Sequence, residues 1–80
     1  MNYDLDTTEG MRNAIEWTTK LFENMSEGGR WLVPRSETLV CVYPKHKTAE
    51  IYEGTAPDPS IERVIKAMGW NVYYIKDAHL

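Results

Sequence analysis

The pattern of apolar and polar positions divides the chain into six elements. Met11, Ala14, Ile15, Thr18, Leu21, Phe22 and Met25 recur at the i, i+3, i+4, i+7 spacing of a helix with one buried side. Trp17 falls at the edge of that stripe. Asp6 with Glu9 three residues later fits a capping box and predicts a helix opening near Thr7. Residues 1–6 precede it as a short acidic lead-in. Gly28-Gly29 predicts its end, because glycine takes the left-handed conformation without a Cβ clash.

The period then changes from that of a helix to that of a sheet. Residues 30–33 predict a short strand that Pro34 confines to an edge or terminates, since proline cannot donate to a ladder. Residues 38–43 (Thr-Leu-Val-Cys-Val-Tyr) are apolar on both faces and β-branched, which predicts a central strand. Residues 44–47 form a turn, and the alternating residues 48–53 return as the second arm of a hairpin. After a loop over residues 54–57, Asp58-Pro59 supplies an N-cap followed by proline at the first helical position. Ile61, Val64, Ile65 and Met68 form the apolar stripe of a second helix, which Gly69 closes. Residues 70–75 predict a last strand. The order αβββαβ predicts one small α+β domain over residues 1–80: a four-stranded mixed sheet with two helices packed on one face. The last strand returns parallel to a neighbour.

The hairpin also predicts which residues share a face. A two- or four-residue turn centred on Lys45-His46 sets Tyr43 opposite Thr48, Cys41 opposite Glu50 and Leu39 opposite Tyr52. Val40, Val42, Ala49 and Ile51 then form a wholly apolar set for the helices to cover. Leu39, Cys41, Tyr43, Thr48, Glu50 and Tyr52 fall on the other face, which is more apolar than a solvated face needs. Leu39, Tyr43, Glu50 and Tyr52 are therefore the expected partner-binding residues, facing a second copy of the chain or another protein. The competing arrangement folds the lead-in around Tyr3 and Leu5 over them.

Composition narrows the chemistry. The chain has 80 residues, a single cysteine and two histidines, so an internal disulfide and a cysteine-rich zinc site are excluded. Cys41, between Val40 and Val42, reads as a small buried or half-buried hydrophobe rather than a nucleophile. His46 lies between Lys45 and Lys47, whose charges oppose metal binding, and His79 is next to last. No metal and no cofactor are expected. No Gly-x-Ser-x-Gly elbow, Walker loop or Gly-x-Gly-x-x-Gly fingerprint occurs, so no enzyme is expected. One thiol, no visible signal peptide and no apolar run long enough to span a bilayer predict a cytoplasmic protein without membrane contact.

The net charge of −3 argues against a general nucleic-acid binder. Arg30, Arg35, Lys45, His46 and Lys47, with Trp31 and Tyr43 nearby, nevertheless make a possible nucleic-acid patch of cations and stacking rings. Glu9, Glu16, Glu23 and Glu27 form an acidic helix face. Such a row can mimic a phosphate backbone, but Arg12 and Lys20 in the same sector predict a salt-bridged solvent face instead.

Element order alone resembles two nucleic-acid families. The αβββα order is similar to that of the double-stranded RNA-binding domain, which places a basic cluster at the start of its second helix. Residues 58–62 here read Asp-Pro-Ser-Ile-Glu, which repel phosphate. The full order also resembles the core of restriction-endonuclease-like nucleases, which carry an Asp on the second strand and Glu-x-Lys on the third. Residues 38–43 hold no acid, and Glu50-Ile51-Tyr52 puts tyrosine in place of the lysine. The expectation is a small non-enzymatic inhibitor or adaptor that binds a protein partner, of the kind found among phage and mobile-element accessory proteins. A nucleic-acid-binding regulator is the alternative, and a degenerate nuclease-like or other enzyme fragment the third.

Overall fold

A computed structural model describes residues 3–33, 38–53 and 59–75, the side chains of residues 53 and 59 excepted. Helix α1 spans Thr8–Glu23, followed by strands β1 (Gly29–Leu32), β2 (Thr38–Tyr43) and β3 (Thr48–Glu53), helix α2 (Pro59–Ala67) and strand β4 (Asn71–Ile75). The four strands lie side by side in sequence order. β1–β2 and β2–β3 are antiparallel and β3–β4 is parallel. The α+β fold with a mixed sheet is as the sequence predicts. Pro34, Arg35, the loop over residues 54–57, the Asp58 cap and His79 lie outside the described residues.

The core is built on the hairpin. Val40 pairs with Ile51 and Val42 with Ala49, and all four are buried. Phe22 of α1 and Ile61 and Ile65 of α2 close over them, with Val33 at the end of β1. The alternation of β2 is unambiguous: Thr38, Val40 and Val42 are buried, while Leu39 and Cys41 are half-buried and Tyr43 is exposed. Pro44–His46 form a single 3-10 turn, and Lys47 takes a left-handed conformation with φ 46°. That gives the four-residue connection and the register expected from the sequence. Among the described residues, no helix is long and apolar enough to cross a membrane.

The ends of α1 differ from expectation. Its N-cap is Thr7, whose Oγ1 accepts from the Gly10 N–H at 3.0 Å, and not Asp6. Asp6 instead approaches Arg63 of α2 at 3.7 Å. The lead-in curls back on the first helical turn, with the Thr7 hydroxyl donating to the Asp4 carbonyl at 3.0 Å. A Cβ on Gly10 would collide with that same carbonyl. The helix stops at Glu23, and residues 24–27 run on as turns to Gly28 at φ 103°. Met25 therefore packs on the core from a turn, where its flexible chain reaches what a helical position would have reached. The ion pairs expected along α1 are absent among the described residues. Arg12, Glu16, Lys20 and Glu23 are all exposed, and solvation satisfies them separately. The described pairs tie α2 instead: Arg63 to Asp6, and Lys66 to Glu62 at 2.6 Å.

One packing detail is costly. Thr18 is fully buried, and its hydroxyl has no hydrogen-bond partner among the described residues. An unpaired buried hydroxyl costs about 1–3 kcal/mol, and valine fills nearly the same volume without it. Thr18→Val is expected to raise stability by about 1 kcal/mol, which moves Tm upward by roughly 4–8 °C in a domain of this size. A thermal melt showing a lower Tm would mean that the hydroxyl is satisfied.

Candidate functional site

Both helices lie on the face that carries Val40, Val42, Ala49 and Ile51, so the opposite face of the sheet is left to solvent among the described residues. The strand registers arrange that face in rows. Leu32, Leu39, Tyr52 and Ile75 are successive partners across all four strands and make an apolar band. Arg30, Cys41, Glu50 and Tyr73 form the next row, and Tyr43, Thr48 and Asn71 the third. The most open large apolar side chains of this face are Leu32 at 65% exposure, Tyr73 at 58% and Tyr43 at 42%. Arg30 and Glu50 are the only charges among these residues.

The expected partner-binding residues are thus brought together. Leu39 and Tyr52 are direct partners, Glu50 is one step along β3, and the Tyr43 hydroxyl donates to Glu50 Oε1 at 2.7 Å. That bond ties a ring and a carboxylate together on this face. It also holds the Tyr43 phenol up to about 12, with burial and the Glu50 charge adding to the effect. The Tyr52 phenol is raised mainly by desolvation, then by the Glu50 charge. Among the described residues, Leu5 of the lead-in lies on the helix side and not over this face. Leu5 lies with Met11 and Ile15 beside α1, and its carbonyl accepts from Arg63 Nη2 at 3.4 Å.

The basic residues are less well assembled. Lys45, His46 and Lys47 are exposed in the hairpin turn, anchored by the Asn71 N–H donating to the Lys47 carbonyl at 2.9 Å. Arg30 sits apart from them, on the outer face opposite Cys41. The expected placing of Trp31 is corrected. Its side chain is on the helix-covered face, with its ring 5.7 Å from Trp17 and 5.9 Å from Phe22. Alternation along β1 forces this, because Arg30 and Trp31 are neighbours and point to opposite sides. Glu9, Glu16 and Glu23 share the exposed side of α1, and Glu27 follows in the turn region after it. Among the described residues, no group of three or more His, Cys, Asp or Glu is placed to hold a metal ion.

The sequence reading missed Leu32, Tyr73 and Ile75. Leu32 was visible in principle, since Trp31 at an inner position makes its neighbour an outer one. Tyr73 and Ile75 depend on which strand β4 joins, and a parallel partner leaves no turn from which to count the register.

The Tyr43–Glu50 bond sets a pH dependence. The folded phenol lies above its ordinary value of 10.0, so the bond's contribution is complete below about pH 10 and is lost as pH rises through about 12. In a tyrosinate absorbance titration, one phenol is expected to ionise near 12 and to move down toward 10 in Glu50→Gln. Identical curves for the two proteins would show that the bond does not form in solution.

No family model matches this chain, and no curated protein or solved structure matches it either.

Proposed function

We propose that this chain is a small non-enzymatic protein-binding protein, an inhibitor or adaptor, and that the outer face of its sheet is the interface. One observation carries the reading. A four-stranded sheet with both helices on one side presents Leu32, Leu39, Tyr43, Tyr52, Tyr73 and Ile75 on the other, with one positive and one negative charge among them. Contiguous apolar surface of this extent marks an interaction site on a soluble domain. Tyrosines are efficient anchors there, because each ring gives a large contact area at low entropic cost and keeps a hydroxyl for hydrogen bonding. The Tyr43–Glu50 bond adds a polar contact of fixed geometry to the apolar band.

The basic turn offers a nucleic-acid reading through Lys45, His46 and Lys47. It is weaker, because Trp31, the ring expected to stack beside them, packs against Trp17 and Phe22.

Tyr52→Glu tests the proposal. The variant is expected to keep the circular-dichroism spectrum of the folded domain and to lose the protein that the wild type retains from a lysate. Retention by the wild type is expected to survive nuclease and to change little between low and high salt, whereas phosphate-driven binding weakens steeply. Unchanged retention by folded Tyr52→Glu would place the interface elsewhere, and release by nuclease or salt would favour the basic turn.

A further inference from the structure

We infer that the outer sheet face takes a second copy of this chain, stacked face to face across a twofold axis that runs along the strands between β2 and β3. The inference rests on the reading of that face as a protein interface and specifies its occupant. A twofold dimer needs a surface complementary to itself, and the rows of this face meet that condition in one orientation. With the axis along the strands, β1 lies over β4 of the second copy and β2 over its β3. Leu32 then meets Ile75 and Leu39 meets Tyr52, so the apolar band covers itself. In the next row, Arg30 stands over the Tyr73 ring of the second copy, a favourable cation–π placement. Glu50 of the second copy lies one strand further, about 4.8 Å to the side.

Charge selects this axis. A twofold perpendicular to the strands would stack the Arg30–Cys41–Glu50–Tyr73 row on itself, setting Arg30 on Arg30 and Glu50 on Glu50. Like charges in direct opposition are strongly disfavoured at an interface. Two sheets packed this way also keep their strands nearly aligned, as the twist of each sheet requires.

Area sets the strength. Four strands about 4.8 Å apart and five residues at about 3.3 Å each give a face of roughly 19 by 17 Å. With side-chain relief about doubling that plan, two copies bury on the order of 1,200 Å², the lower end of specific interfaces. An interface of this size suits a monomer–dimer equilibrium rather than an obligate dimer.

Sedimentation equilibrium from micromolar to millimolar concentration gives the first readout. Alkylation of Cys41 by iodoacetamide gives the second, because this thiol lies half-buried within the face. The expected result is a monomer–dimer equilibrium, with Cys41 reacting about tenfold more slowly where dimer dominates. Arg30→Glu is expected to weaken the dimer about tenfold, because it removes the cation over the Tyr73 ring and sets a second carboxylate near Glu50 of the other copy, whereas Arg30→Lys keeps the cation and most of the affinity. A monomer at every concentration, with Cys41 equally reactive throughout, overturns the second copy as occupant. It leaves the interface reading to its own test with Tyr52→Glu. A dimer that leaves Cys41 unprotected or ignores Arg30→Glu overturns the inference by placing self-association on another surface.

Discussion

The fold depends on the register of the β2–β3 hairpin. Six residue pairs join these strands, from Thr38–Glu53 to Tyr43–Thr48, and the four-residue connection through Pro44–Lys47 fixes which residues oppose. Side chains alternate across a sheet with a period of two, so a slip of one residue would exchange the two faces. In the observed register the four small branched or methyl side chains Val40, Val42, Ala49 and Ile51 share one side. They give α1 and α2 a flat apolar floor on which Phe22, Ile61 and Ile65 close. Lys47 in the left-handed region shows that the turn is held to this geometry at some backbone cost.

The same register produces the candidate interface. The residues excluded from the floor cannot all be polar, because both sets belong to strands rich in apolar residues. Two helices cover one face, and among the described residues there is no further layer for the other. A domain of 80 residues buries only about 60% of the surface that its unfolded chain exposes, so covering the second face would add to its stability. The Tyr43–Glu50 bond and the Arg30 position make that face directional, and they separate it from a merely sticky surface.

Much of this was legible in the sequence because it follows from period and turn length. The six elements, the buried stripe of α2 and the pairing of Leu39 with Tyr52 needed only spacing and the Pro44–Lys47 turn. What was not legible depended on contacts far apart in the chain. Asp6 looked like a cap, but the Thr7 hydroxyl accepts from the Gly10 N–H and takes that place, while Asp6 stands exposed 3.7 Å from Arg63, 57 positions on. The stripe of α1 extended to Met25, yet the helix ends at Glu23 and Met25 reaches the core from the turn that follows. The charges of α1 matched pairing distances along the helix, but such exposed pairs gain too little to hold two long side chains in place. Trp31 was placed with Arg30 by proximity in sequence, where strand alternation separates them.

Strand β2 divides its residues between a buried floor and an open face. An aspartate scan across Leu39, Val40, Cys41 and Val42, read as urea midpoints in dilute solution, tests it most directly. Alternation is expected: Val40→Asp and Val42→Asp lose at least about 4 kcal/mol, because each buries an unpaired charge. Leu39→Asp and Cys41→Asp are expected to remain within roughly 1 kcal/mol of the wild type, the span of strand propensity. Equal losses at all four positions, or alternation in the opposite phase, would contradict it.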